Sequence, residues 1–456
     1  MTAGFAAMLA LGLVLAGCAT PSSAPAPAQT ARAGAATGPA PAPTAPTREV
    51  LPNGVVLIAQ EHHGADVVAV QLWMRVGGRD EQPDELGLSH YMEHMLFKGT
   101  PTRPPGSIDK LIEGFGGASN AFTSYDFTHF DVVVPAAHVR PALELLADIA
   151  VNAAFVPEEL ESEKKVVFEE MSLTEDDPEK FLARRLSEVA YRGHPYGRPI
   201  LGTHEFIEAL TRDRLNAYYK KHYIPRNMVV VVVGPVKPDQ ARALTAETFG
   251  RLTGPPSARP PAAAVPPLTG RRPDDVSRPE QQAYLGLAWQ AAATAVASED
   301  ISAVDLLTYI LGDGPSSRLN QTVREEKRLV QSIEASYVTR ELSGLVAVTA
   351  RLDPKNLDAA EAAILDVVRR VRADGVSEAE RQRAIVTAES FYAFDIETAE
   401  GLAKSYGQAE TTWTLDNELR YLERLRQVTA AQIQAAARKY LGDDLARIRF
   451  LPAASR

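Results

Sequence analysis

Apolar residues fall in two rhythms along this 456-residue chain. Short β-branched runs bounded by Gly, Pro and Asn mark strands, and apolar positions spaced three and four apart mark helices. Residues 55–59 follow the turn signal Pro52-Asn53-Gly54 and 67–75 stop before Gly77-Gly78, so both read as strands. Two further strand-like runs lie within 120–135, after Gly116-Gly117. Residues 227–234 are apolar almost without interruption, which suits a central strand buried on both faces. Helical spacing covers 88–97, 107–115, 136–153, 157–174 and 211–221. In the second half, 283–288 reads as a strand and 356–373, 377–392 and 416–428 as helices.

A repeat emerges from this pattern. Residues 210–235 align without gaps to 428–453, pairing Thr211 with Thr429, Leu215 with Ile433 and Lys221 with Lys439. Each copy reads as a Thr-capped helix feeding a strand that closes its half. Residues 252–275 are dense in Pro, Gly and Ala and carry no element signal. The expected fold class is therefore α+β. Two homologous α/β lobes, each a mostly antiparallel sheet with helices packed on it, occupy 48–250 and 276–456. A Pro/Gly-rich linker at 251–275 joins them.

The N-terminus reads as an address. Residues 5–16 form an apolar run too short to span a bilayer and suited to the core of a secretory leader, although no Lys or Arg precedes it. Leu15-Ala16-Gly17-Cys18 resembles the bacterial lipoprotein processing box. That resemblance implies a leader at 1–18 and membrane attachment through a lipidated Cys18 on the periplasmic side of the cell envelope. Ala19, where an Asp would signal retention, implies the outer rather than the inner membrane. Residues 19–47, rich in Ala, Pro, Thr and Ser, form an extended tether.

Composition narrows the chemistry. The chain is 45% hydrophobic and 23% charged, with net charge −10, which argues against nucleic acid as a general partner. Cys18 is the single cysteine, so an intramolecular disulfide and a cysteine metal cluster are excluded. The last of nine histidines is His222, so a histidine-based metal site must lie in the first half.

His90 and His94 stand four apart on the 88–97 helix, one turn apart on one face, with Glu93 at its edge. Two imidazoles at this spacing can hold one Zn²⁺, and the carboxylate beside them can act as general base on a metal-bound water. A third protein ligand is required. The 157–174 helix offers Glu163, Glu169 and Glu170, among which spacing alone does not choose. Glu163 and Glu170, two turns apart, share a face.

His90-Tyr91-Met92-Glu93-His94, followed by Glu170 in the context Val166-Val167-Phe168-Glu169-Glu170-Met171, resembles the pitrilysin/insulinase-type zinc metallopeptidases, whose order is H-x-x-E-H. Residues 90–100, 117–121, 194–197 and 227–234 extend the resemblance over most of the chain. It implies one Zn²⁺ per chain on His90, His94 and Glu170, with Glu93 as catalytic base and Glu163 orienting a ligand. It also implies that the strand holding Asn120 and Ala121 is an edge near the zinc, to which extended substrate adds as a further strand. The activity implied is endopeptidase cleavage of peptides or unfolded protein segments in an enclosed chamber. Family members often carry an Arg and a Tyr seven apart in the second lobe, facing the zinc site. Arg324 holds the Arg position, but Gln331 stands where Tyr is expected, and Arg328 where Gly is usual. This departure implies a heterodimer with a homologous subunit that carries the pair, or otherwise a homodimer. A non-catalytic core subunit of the same fold is the alternative.

Overall fold

The computed structural model describes residues 44–255, 259 and 261–453. The 1–18 leader with Cys18, and the 19–47 tether up to residue 43, lie outside the described residues. The first sheet uses Thr47–Val50 (β1), Val56–Glu61 (β2), Val67–Met74 (β3), Ala118–Thr123 (β4), Thr128–Pro135 (β5) and Met228–Gly234 (β6). Their spatial order is β1-β2-β6-β3-β5-β4. The second uses Arg271–Arg278 (β7), Ala283–Ala291 (β8), Ser332–Val338 (β9), Gly344–Leu352 (β10) and Leu445–Pro452 (β11), in the order β7-β11-β8-β10-β9.

The two orders are the same order. β2-β6-β3-β5-β4 matches β7-β11-β8-β10-β9, and each sheet is antiparallel except at one place, where β2 runs parallel to β6 and β7 to β11. The repeated helices are Arg212–His222 and Ala430–Tyr440. Thr211 Oγ1 accepts from the amide of Arg214, and Thr429 Oγ1 from that of Gln432. The repeat in the sequence is thus a repeat of topology.

β6 shows why its residues are apolar throughout. Val230 and Val232 face a core with Tyr91, Met92 and Leu146, while Val229, Val231 and Val233 face a second core on the opposite side of the sheet. That second core holds Leu402, Ala403 and Tyr406 from the helix Ala399–Thr412, which belongs to the second half of the sequence. Tyr406 donates to Gln60 Oε1 at 2.6 Å, and Glu410 accepts from Arg48 Nε at 2.9 Å and Arg75 Nη2 at 2.8 Å. The first half reciprocates. Leu182 and Leu186 of the helix Pro178–Ala190 pack on the second sheet with Tyr284, Ala288 and Ile448.

This exchange corrects the simple division at 250 and 276. Each lobe's sheet is covered on one face by a helix from the other half of the chain. The linker boundary also shifts, because β7 begins at Arg271, inside the segment expected to be linker. Parallel pairing with β11, Arg271 opposite Leu445, extends it there. The expected single helix at 416–428 is two, Leu415–Leu419 and Tyr421–Gln427. No helix among the described residues is long and apolar enough to cross a membrane.

Candidate metal and active site

The helix Leu88–Leu96 divides into two faces. Leu88, Tyr91, Met92, Met95 and Leu96 are buried in the first lobe's core, which turns His90, Glu93 and His94 toward a cavity between the lobes. Its start is held in two ways. Glu81 reaches back to accept from the amides of Gly87 at 2.9 Å and Ser89 at 2.8 Å, satisfying donors that the first turn leaves free. Gly87 has φ of 85° and sits so close to Gly202 that a Cβ would lie 2.8 Å from the Gly202 Cα.

The helix Pro157–Asp176 supplies the carboxylates. Its buried stripe is Leu160, Glu163, Lys164, Val167, Met171 and Thr174, so Glu163 faces inward and Glu170 follows two turns later toward the cavity. Glu169, the alternative left open by spacing, is exposed. His90 Nε2 and His94 Nε2 each lie 3.5 Å from Glu170 Oε2, and donor atoms of these three residues all fall within 4.8 Å of one another. Nitrogen and carboxylate ligands on a tetrahedral zinc stand about 3.3–3.5 Å apart. The donor set therefore fits such an ion in spacing and in chemistry, with room for a further ligand from the cavity.

Glu163 stands behind this set. It accepts from His94 Nδ1 at 2.9 Å and from Lys98 Nζ at 2.7 Å. Burial pushes its carboxyl up, but the bonds to His94 and Lys98 outweigh that and hold it low. Burial likewise lowers His94, and its bonds to Glu163 and Glu170 overcome this and raise it to about 10. His90 is pushed well below its ordinary value by burial and by the neighbouring His94. Among the described residues, no partner reaches His90 Nδ1. Burial raises Glu93 to about 7, against the opposing hydrogen bond from Thr123 Oγ1 to Glu93 Oε2 at 2.5 Å. A carboxyl in this range can take and return a proton near neutral pH.

The cavity has a volume of about 1220 Å³. Its first-lobe wall carries His90, Glu93, His94 and Glu170, and the second-lobe wall includes Glu334, Arg340 and Arg351. β4 ends the first sheet, bonded only to β5. Asn120 on β4 is exposed and Ala121 half-buried, and both line the cavity.

The structure thus brings together His90, Glu93, His94, Glu163, Glu170, Asn120 and Ala121. Arg324 is not brought there. Its π-helical turn, Asn320–Glu326, buries Asn320 and Val323 and leaves Arg324 in solvent, 3.8 Å from Glu325 and off the cavity wall. Gln331 accepts from Gln282 at 2.7 Å. Sequence reading missed Glu81, Lys98 and Thr123. Lys98 continues the four-residue spacing of His90 and His94 just past the helix end, a signal that could have found it, whereas Glu81 and Thr123 share no helical face or fixed spacing with the motif and only the fold brings them to it.

Comparison with known proteins places the chain in a family. Residues 56–204 match the model of the insulinase family (peptidase family M16), and 209–386 match that of the peptidase M16 inactive domain. A Mycobacterium tuberculosis protein named as an uncharacterized zinc protease is 31% identical over 404 residues, covering 87% of this chain and 91% of that protein. The crystal structure of a protease from Helicobacter pylori superposes with a TM-score of 0.85 at 24% identity, covering 90% of this chain and 99% of that one. A peptidase M16 inactive domain from Pseudomonas fluorescens superposes with a TM-score of 0.82 at 20% identity, covering 91% and 99%. With the paired family matches, the close relative and the repeated two-lobe fold all in accord, the chain belongs to the insulinase-type M16 peptidase family.

Proposed function

We propose that this protein is a zinc-dependent endopeptidase. The observation that carries the reading is the meeting of His90, His94 and Glu170 within 4.8 Å on a cavity wall, with Glu93 on the same helix. His90, His94 and Glu170 would hold the ion. A Zn²⁺ bound there would acidify a water to a pKa of roughly 7 and polarise a carbonyl group. Glu93 takes a proton from the attacking water and hands it to the leaving amine. Thr123 occupies Glu93 Oε2, which leaves Oε1 to do this. Glu163 fixes the His94 ring through Nδ1, which turns Nε2 toward Glu170 and leaves it available as the ligand atom. β4, with Asn120 and Ala121, offers its unpaired edge to an extended peptide backbone.

The substrates on this reading are peptides or unfolded segments, since the cavity admits an extended strand more readily than a folded domain. Arg324 stands away from the cavity, and Gln331 replaces the expected Tyr. Both features favour assembly with a homologous subunit that completes an enclosed chamber, or otherwise with a second copy of this chain. Attachment through Cys18 on the periplasmic face of the outer membrane completes the proposal. A non-catalytic core subunit would be expected to lose motif residues, whereas all four are present here.

The experiment is peptide cleavage by the purified chain, with and without a chelator. Chelator-sensitive cleavage restored by zinc is expected. Absence of cleavage by the zinc-loaded protein, alone and with its homologous subunit, would overturn the reading.

A further inference from the structure

None of His90, His94 and Glu170 comes from the second lobe, yet that lobe touches the hairpin whose Thr123 donates to Glu93. Thr123, the donor to Glu93, is the last residue of β4. β4 is an edge strand held on one side alone, so the turn at 124–127 that joins it to β5 fixes its end. Within the first lobe, that turn accepts from the amides of Gly78 and Arg79 at 3.0 Å each.

Tyr125 also donates to the Arg198 carbonyl at 2.9 Å, Arg259 donates to the Asp126 carbonyl at 3.0 Å, and the second lobe adds the 340–342 loop between β9 and β10. The amide of Glu341 donates to Asp126 Oδ2 at 3.0 Å. The other oxygen of Asp126 accepts from Tyr196 at 2.6 Å and pairs with Arg79 at 3.0 Å. Tyr196 in turn accepts from the amide of Leu342 at 3.2 Å, and Arg79 donates to Glu341 Oε2 at 2.6 Å. Arg340 sits in a cage of three rings, 4.5 Å from the Tyr125 centroid and 5.0 Å from those of Tyr191 and Tyr196. Asp126 is 2% exposed and Arg340 7%, so both act in a desolvated setting where charge-assisted bonds and cation–π contacts are strongest.

We propose that the 340–342 loop, by holding the 124–127 turn, sets the position of Thr123 and through it the Glu93 carboxylate. Asp126 and Arg340 are then positioning residues for the base, and the second lobe tunes chemistry performed wholly by the first. This rests on the role of Glu93 given above. It accounts for a fully satisfied buried carboxylate and a caged arginine meeting at one turn, where general adhesion between lobes would need neither.

The test has two arms. In the zinc-free protein, amide hydrogen exchange is followed by mass spectrometry for 118–127. Arg340→Met should raise exchange there by at least about threefold while leaving β2 and β6 unchanged. In the zinc-loaded protein, Thr123→Val should lower kcat about tenfold, or about 1.4 kcal/mol, with KM and zinc content unchanged. Thr123→Ser, which keeps the hydroxyl, should restore it, and Arg340→Met should lower kcat in the same sense. Asp126→Asn replaces Arg340→Met if that variant does not fold. Wild-type exchange at 118–127 in these variants, or a wild-type kcat in Thr123→Val, would overturn the proposal. If the wild type cleaves nothing, the endopeptidase reading fails, and the exchange arm still decides whether the grip exists.

Discussion

Glu163 offers a quantitative check on how the site is built. Its side chain is only 6% exposed and bridges His94 Nδ1 at 2.9 Å and Lys98 Nζ at 2.7 Å. In this role it fixes the ring of one metal-holding histidine and makes it a stronger donor. Loss of such an outer partner typically costs about 10–100-fold in metal affinity, which is about 1.4–2.7 kcal/mol. Glu163→Gln keeps the shape but turns a charge-assisted hydrogen bond into a neutral one of roughly half the strength, so it should fall near tenfold. Glu163→Ala removes the acceptor and should approach about 100-fold. Zinc affinity can be read by competition against a chromogenic chelator, with Tm in excess zinc showing that each variant is folded. The order wild type, Gln, Ala is the expected result. If both variants bind within about threefold of wild type, Glu163 has no part in holding His94, and the reasoning fails.

Two further predictions probe the frame around the site. Gly407 faces the buried Trp73 indole so closely that a Cβ would lie 2.0 Å from Nε1, so Gly407→Ala should cost about 1–3 kcal/mol or more in urea unfolding by pushing the exchanged helix off the first sheet. Gly114→Ala, in a helix with nothing within 4 Å of the added methyl, is the control and should be neutral or slightly stabilising. In the second lobe, hydrogen bonds from Arg318 hold Glu380 near 2 against an ordinary 4.5. This pair stabilises the fold above the unfolded value, and its contribution drains away as pH falls through the folded one. The gap in urea midpoint between wild type and Arg318→Met should therefore shrink as pH falls from about 5 to about 3, and a constant gap would contradict the pairing.

Legibility in the sequence followed the physics of each element. β6 and the Leu88–Leu96 helix announce themselves because burial on two faces writes an unbroken apolar run and burial on one stripe writes a periodic one. The repeat was readable because Thr211 and Thr429 make the same cap in the same place. β7 was lost to the linker because an edge strand with no fully buried position, Arg271–Arg278, needs no apolar residues. The exchanged helix Ala399–Thr412 was missed because Gly401 and Gly407 weaken its helical signal, and Gly407 is glycine to let the backbone approach Trp73. At the site, His90, Glu93 and His94 share one helix and were visible as a unit. The choice of Glu170 over Glu169 was not open to spacing, and the fold resolves it by exposing Glu169. Thr123 and Glu81 act through distances that no local pattern records, whereas Lys98 stands four residues after His94 and was open to the same spacing argument. Arg324 shows the opposite error, since a matching residue type at a matching position still faces solvent.

The central claim is that Glu93 does the proton transfer while His90, His94 and Glu170 hold the metal. Glu93→Gln separates these roles, because the amide fills the same space and still accepts from Thr123 but is not basic. Zinc content by elemental analysis should stay at about one per chain. Peptide turnover by the same preparation should fall by about 10²–10⁴-fold. A Glu93→Gln protein that keeps wild-type turnover, or that loses its zinc along with its activity, would contradict the account.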